Sequence, residues 1–435
     1  MRIAIIGSGI SGLTCARILS GEHQITVFEA SNHVGGHAHT VSVEVGNERH
    51  DLDTGFLVYN DRTYPVFAQM LHDLDVETSP SSMSFSVRCD RSNTEYNGTS
   101  INGLFAQRQN ALRPSFLRML ADIVRFNRNG PRDIDHVSDD QTVRDYLAAG
   151  RYSRAFADRY LLPMGAAIWS CPRESFADFP IRFILDFYHH HGLLSLTNRP
   201  VWRTVVGGSH RYVAKLIAPF RERIRCGCPV RSVSRLENEV RVRYAGGEED
   251  FDEVIIACHS DQALQILADA DELETELLSA FPYGVNTAVL HTDESVLPRR
   301  QRAWASWNYL IPAELETRPQ VTYNLNQLQR IESPHTLCVT LNADDMIDPA
   351  KVLGRFQYSH PLFTSERSVI QRRHSEIIRR RRTSYCGAYW RNGFHEDGVV
   401  SGLAVGRAFG IPNWRIGSEG AARISTTLPT GGRRP

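Results

Sequence analysis

Over the first thirty residues the hydrophobic pattern changes period twice. Ile3 to Ile6 is a β-branched apolar run ending on Gly7, as in a fully buried strand. From Ser11 to Ser20 the apolar residues Leu13, Ala16, Ile18 and Leu19 recur at helical spacing, and Gln24 to Phe28 returns to a β-rich run. The prediction is strand, helix, strand. Two later stretches belong with this unit. In CPVRSVSRLENEVRVRYAGGEEDFDEVIIACHSDQAL, Val240, Val242 and Tyr244 alternate with Arg241 and Arg243, Gly246-Gly247 supplies a turn, and Val254 to Ala257 is a buried strand. This reads as a hairpin followed by a strand returning to the first sheet. In RRRRTSYCGAYWRNGFHEDGVVSGLAVGRAFG, a strand from Thr383 to Gly387 precedes a loop and a helix beginning near Gly398. The exposed N–H groups of that helix start are suited to an electron-rich ring.

The glycines of GSGISGL and of the following FEASNHVGGHAHT suggest what the opening unit holds. Gly7 allows the tight turn out of the strand, Gly9 lets the backbone approach a pyrophosphate, and Gly12 lets the helix pack closely on the sheet. The helix N-terminus, with Ser11 in its first turn, faces the anion. Glu29 ends the second strand, where a carboxylate accepts hydrogen bonds from ribose hydroxyls. Gly35 and Gly36 follow six and seven residues later and provide a second close approach to a pyrophosphate. That extra pair favours an extended FAD over NAD, and with no Cys or His in a flavin-attachment motif the FAD is expected to be non-covalent.

At 435 residues the chain exceeds the roughly 250 to 300 at which one core usually divides, so two interleaved domains are expected. The formal net charge is zero, so bulk electrostatics argues neither for nucleic acid nor for a strongly acidic partner, and no nucleic acid partner is expected. Lysine occurs only at Lys215 and Lys351; the remaining basic residues are arginine. The eight cysteines are scattered, and Cys226 and Cys228 form a CxC without a second pair, which reads as reduced thiols in a cytosolic protein. No apolar run approaches the ~18 residues of a spanning helix, and Met1 leads straight into the first strand without a signal peptide. The closing IGSEGAARISTTLPTGGRRP reads as a flexible tail.

Taken together, GSGISGL, FEASNHVGGHAHTV, LDTGFLVYNDRTYP, YLLPMGAAIWS, WRTVVGGSHRYV, VIIACHSDQAL, RAWASWNYL and CGAYWRNGFHEDG resemble the flavin-containing amine oxidase superfamily over nearly the whole chain. They are most similar to the bacterial FAD-binding branch that accompanies cyclopropane fatty acid synthase-type methyltransferases, and to the flavoprotein segment of plant cyclopropane fatty acid synthases. The resemblance implies an α/β fold in which a Rossmann-like FAD-binding domain interleaves with an α+β substrate domain. The FAD domain would comprise residues 1–70, 202–270 and 375–415, the substrate domain 71–201 and 271–374, and the tail 416–435. Cofactor-binding residues would be Gly7, Gly9, Ser11, Gly12, Glu29, Gly35, Gly36, His37, Val230, Gly387 and Gly398. The sequence departs from the amine oxidase pattern at His37, where an arginine is usual, and at Ala388, where an aspartate is usual. It also has no lysine in a motif that would place one near flavin N5, which weighs against amine oxidation.

The substrate region is rich in large aromatic residues. Trp169, Phe187, Tyr188, Trp202, Trp304, Trp307 and Tyr309 suit the wall of a hydrophobic tunnel, with ordinary core packing as the plain alternative. The resemblance implies a fatty acyl or phospholipid substrate, with Trp169, Trp304, Trp307 and Tyr309 in contact with it, and a lipid methyltransferase as a partner. A saturated C–H bond is too inert for hydride transfer, whereas one beside an alkene is activated. The expected reaction is therefore desaturation of a methylated or unsaturated acyl chain, the step that precedes furan fatty acids. His395 and Glu396 in GFHEDG are the candidates for the proton step, with helix capping as the structural alternative. His37 and His39 are candidates for phosphate binding. Adjacent His189, His190 and His191 point in different directions on a helix, so no metal site is read. An amine oxidase, a flavin-dependent double-bond isomerase and a non-catalytic partner of a methyltransferase remain as alternatives.

The expected location is the cytoplasm, with peripheral contact at the inner membrane face. That contact rests on ALRPSFLRMLADIVRFNRNGPR, where Phe116, Leu117, Leu120, Ile123 and Val124 form an apolar face bordered by Arg118, Arg125 and Arg128.

Overall fold

The computed structural model describes residues 1–195, 199–314, 318–364 and 366–411. The tail predicted at 416–435 lies outside them. The strands β1 (Arg2–Ile6), β2 (Gln24–Phe28), β3 (Ile224–Arg225), β4 (Glu253–Ile256) and β5 (Thr383–Tyr385) form a parallel sheet in the order β3-β2-β1-β4-β5. β1 is central, with Ile3 opposite Ile25 on one side and Glu253 on the other. Ile3, Ala4 and Ile5 are fully buried, which explains an apolar run without alternation.

The helix α1 (Ile10–Leu19) covers one face of this sheet, and the C-terminal helix His395–Ala408 packs along α1. Glycines every four residues make that approach close. A Cβ on Gly398 would lie 2.6 Å from Ile10 Cγ2, one on Gly402 2.7 Å from the Ser11 carbonyl oxygen, and one on Gly406 2.1 Å from Ile18 Cδ1. The C-terminal helix begins at His395, three residues before the predicted start. His395 and Glu396 therefore occupy its first turn and not a preceding loop. Asp397 explains the early start, because its carboxylate accepts the Phe394 N–H at 2.9 Å and caps the helix.

The predicted hairpin forms within a three-stranded antiparallel sheet of Val230–Arg235, Val240–Tyr244 and Gly247–Phe251. Val240 and Val242 are buried, while Arg241 pairs with Asp250 at 2.8 Å and Arg243 with Glu248 at 2.9 Å on the next strand. A seven-stranded mixed sheet runs in the order 352–361, 283–291, 338–341, 320–324, 307–311, 85–89, 94–97. Its pairs are antiparallel except Trp307–Ile311 beside Phe85–Cys89. Trp202–Val205 does not join the parallel sheet; it pairs with Tyr59–Asn60 and Thr78–Pro80, segments assigned from sequence to different domains. The helix α2 (Pro65–Asp73) packs against the C-terminal helix.

The helix α3 (Pro114–Asp133) forms as predicted but turns another face to the protein. Phe116, Met119 and Phe126 are fully buried, so Phe116 belongs to the core and not to a docking face. Leu117 and Val124 are exposed, and Leu120 and Ile123 are half-buried. Two apolar stripes one residue apart exist on this helix, and periodicity alone does not choose between them. Arg118 and Arg125 are also partly committed, since both pair with the buried Asp122, at 3.3 and 3.0 Å. The guanidinium of Arg125 lies 4.0 Å from the ring centre of Tyr152. Among the described residues no helix is long and apolar enough to cross a membrane.

Candidate functional site

The two glycine motifs meet in space. Gly9 and Gly35 form a bridge, the Gly35 N–H donates to the Ser8 carbonyl at 3.1 Å, and a Cβ on Gly36 would lie 3.0 Å from Gly9 Cα. Gly7 has φ +106°, and Gly35 and Gly36 have φ +129° and +60°, conformations that side chains with a Cβ resist. A Cβ on Gly12 would sit 2.1 Å from the Gly7 carbonyl oxygen and 3.0 Å from Ala257 Cβ, so Gly12 serves helix–sheet packing. Gly9 is different: its Cβ would meet no protein atom within 4 Å. The Gly9 backbone thus presents an open cradle at the N-cap of α1, with Ser11 buried behind it in the first turn. Glu29 stands at the end of β2, where its carboxylate accepts from the Ser8 N–H at 2.9 Å, the Ser8 hydroxyl at 2.6 Å and the Ser31 N–H at 2.8 Å. The chain leading to Val230 runs beside it, with the Cys228 N–H donating to the Glu29 carbonyl at 2.8 Å.

Around His37 the fold gathers polar rings from three distant segments. The His37 ring lies 5.2 Å from Tyr358, 5.3 Å from His360 and 6.3 Å from His259. His37 Nε2 is buried with no hydrogen-bond partner among the described residues, which marks a polar group disposed to meet a ligand. Burial pulls the pKa of His37 and His259 down to about 4 and that of His360 to about 3, so all three are neutral at pH 7. The alternation Phe356, Tyr358, His360 on the strand 352–361 puts three rings on one face, a period-two pattern visible in the sequence.

His395 faces the same region: its Nε2 lies 2.7 Å from the Tyr212 hydroxyl and its ring stacks on Phe56 at 3.8 Å. Burial and His37 lower its pKa to about 3. Glu396 points elsewhere. Its two oxygens accept the backbone N–H groups of Val66 at 3.1 Å and Phe67 at 2.8 Å, tying the C-terminal helix to the start of α2. Burial raises its pKa to about 7, but both oxygens are occupied, so Glu396 positions the helix rather than serving as a free base. Gly398 faces Ile10 and is likewise a packing residue. Gly387 receives from its surroundings a fixed place: its N–H donates to the Ser401 hydroxyl at 3.0 Å.

The predicted aromatic residues separate into two groups. Trp169 lies in a layer with Phe176, Phe179, Phe183, Phe187 and Phe363, its ring centre 4.7 Å from that of Phe187. Phe187 stacks on His191 at 3.8 Å and on Phe394 at 5.2 Å, so the layer reaches the residue that precedes His395. Trp307 and Tyr309 line one face of strand 307–311, where Trp307 meets the Tyr323 ring edge-on at 4.9 Å. Trp304 turns away and donates its indole N–H to the Pro298 carbonyl at 2.7 Å. Both lysines are peripheral: Lys215 bonds the Asp75 carbonyl, and Lys351 pairs with Asp293 at 3.1 Å. A surface cavity of 490 Å³ bounded by Arg62, Thr63, Pro131, His189, His190 and Leu194 contains none of the predicted site residues.

These features would suit a dinucleotide held by the Gly9 and Gly36 backbones and Glu29. The family model described as flavin containing amine oxidoreductase matches residues 10–346. Among solved structures, the fold is similar to a CLA-producing fatty acid isomerase from P. acnes, with TM-score 0.67 and 16% identity over 94% of this chain and 98% of that one. A putative protoporphyrinogen oxidase from Exiguobacterium sp. 255-15 gives TM-score 0.67 and 15% identity with the same coverage, and a putrescine oxidase variant gives 0.64 and 12%, again with that coverage. No curated protein matches the chain. With most of its length matched by that model and its glycine loops, Glu29 and C-terminal helix disposed around one dinucleotide cradle, the chain belongs to the flavin-containing amine oxidoreductase family.

Proposed function

We propose that this FAD-dependent oxidoreductase desaturates fatty acyl chains, at a methylated or already unsaturated position, and that a lipid methyltransferase is the source of the methylated chain. The observation that carries this reading is the aromatic layer of Trp169, Phe179, Phe183, Phe187 and Phe363, which continues to Phe394, the residue before His395. Such a layer, largely buried, favours an apolar chain over a charged group. The peripheral placement of Lys215 and Lys351 also leaves the amine oxidase reading without its lysine.

Bound in this site, FAD supplies two-electron oxidation of a C–H bond. The protein's own residues hold and orient. The Gly9 and Gly36 backbones would receive the pyrophosphate of FAD and the Glu29 carboxylate its ribose, while the aromatic layer would exclude water from the chain. His395, neutral and anchored to Tyr212, is the candidate to take the proton from the carbon next to the oxidised one, and burial, which lowers its pKa to about 3, makes it a weak acceptor. Glu396 and Asp397 fix that imidazole by fixing its helix.

A second reading, double-bond isomerisation, is favoured by the shared fold with a fatty acid isomerase. Mass spectrometry of lipids from cells with and without the gene separates the two. Desaturation yields a product lacking two hydrogens, isomerisation a product of unchanged mass, and amine oxidation a carbonyl. An unchanged lipid profile with a new carbonyl product would remove the acyl reading.

A further inference from the structure

One charged side chain is buried against the aromatic layer without a full set of partners. Arg367 is 2% exposed, and its guanidinium carbon lies 3.5 Å from the centre of the Phe363 ring and 5.7 Å from that of Phe281. Phe363 in turn stacks on Phe183 at 5.0 Å and meets Phe179 at 5.4 Å and Trp169 at 5.9 Å. One nitrogen, Nη2, donates to the carbonyls of Tyr389 and Arg391 in the turn that leads to Phe394. The other two, Nε and Nη1, are buried and make no hydrogen bond among the described residues. The carboxylate that acts on it, Asp397, accepts from the Phe394 N–H and faces Arg391 at 3.6 Å.

A guanidinium is a planar fork that remains charged, and burying it with two donors unmet is costly unless an anion completes it. Desolvation lowers its pKa only to about 9, which keeps the charge at neutral pH. Nε and Nη1 lie on opposite edges of the guanidinium plane, so each offers one charge-assisted hydrogen bond, and a carboxylate oxygen pairs with one of them. The neighbouring surface is apolar and ring-lined. We propose that Arg367 is the anchor for the carboxylate of the substrate, so that the protein takes a free fatty acid whose chain lies on the Trp169–Phe363 layer, and not an esterified one. This inference rests on the acyl reading given above.

The test is equilibrium binding of oleate and of methyl oleate to the full-length flavin-loaded protein, followed by tryptophan fluorescence below the micelle threshold. The two probes share a chain and differ in the anion. Oleate is expected to bind about tenfold or more tightly than the ester, as a charge-assisted pair in a buried site requires. Arg367→Gln keeps donors for the Tyr389 and Arg391 carbonyls but lacks the charge; it is expected to bind both probes as wild type binds the ester. Equal binding of the two probes by wild type overturns the anchor while leaving the acyl reading standing, and this comparison decides even if the variant fails to fold. Binding of neither probe overturns the acyl reading itself. Loss of flavin from a folded Arg367→Gln would assign the guanidinium to the cofactor and likewise overturn the proposal.

Discussion

Gly9 and Gly12 differ by three positions and by what a methyl group would meet. At Gly9 the backbone has φ −68° and the Cβ position is open, so alanine fits the protein but intrudes on the pyrophosphate cradle. At Gly12 the same methyl would lie 2.1 Å from the Gly7 carbonyl oxygen. Gly9→Ala is therefore expected to purify with little flavin while keeping the thermal midpoint of flavin-stripped wild-type protein. Gly12→Ala should lose about 1–3 kcal/mol of stability and its flavin together. Flavin absorbance per mole of protein, measured beside a thermal melt, checks both; full flavin content in Gly9→Ala would remove the cradle. These glycines were legible in the sequence because a tight turn is a local steric demand. Arg367 and the cluster of His37, His259 and His360 were not, because their partners come from segments far apart in the chain.

At the scale of elements, α3 shows what periodicity leaves open. Its helical span was readable from the spacing of apolar positions, but the burial of Phe116 depends on the Tyr96 and Phe105 rings that pack on it. What stays outside is Leu117 and Val124, with Leu112 and Ile101 nearby in sequence 85% and 78% exposed, and with Arg108, Arg118 and Arg128 also exposed. The only acidic residue of the helix before Asp133 is the buried Asp122. An anionic bilayer adds about 1 kcal/mol for each basic residue near its surface. The protein is expected to float with anionic vesicles at low salt. Combined Leu112→Ser, Leu117→Ser and Val124→Ser should reduce flotation without lowering the thermal midpoint, since none of the three lies in the core. Wild-type protein that stays at the bottom of the gradient would end the membrane proposal.

For the whole molecule, buried titratable groups set the pH dependence of stability. Eight histidines, 37, 39, 191, 259, 291, 360, 374 and 395, have pKa values lowered by burial to about 3 or 4. Each stabilises the fold fully above its unfolded value of about 6.5 and loses that contribution as pH falls toward its folded value, because the unfolded chain takes up the proton first. Three carboxyls act in the opposite sense. Burial raises Asp53 and Asp397 to about 6 and Glu396 to about 7, so their contribution is present below their unfolded values and lost as pH rises through 6 to 7. Between about pH 4.5 and 6.5 the two sets oppose, and the histidines outnumber the acids. The thermal midpoint is expected to fall from pH 6.5 to pH 4.5; a flat or rising midpoint would mean that these histidines are not held neutral.

By itself, the sequence determined the β1–α1–β2 unit, its glycines, Glu29, the hairpin and the identity of the family, because each depends on contacts within a few tens of residues or on motifs in fixed spacing. It also placed two aromatic-rich segments in the same region. Only the tertiary structure decided which aromatic residues join: Trp169 enters the layer with Phe187 and Phe363, whereas Trp304 turns to Pro298. Only it decided the roles within GFHEDG, where His395 faces Tyr212 and Glu396 faces the N-terminus of α2. The physical reason is common to both. Adjacent residues in a helical turn diverge by about 100°, so their environments are set by whatever packs on each side, and those partners come from segments that sequence proximity does not reveal.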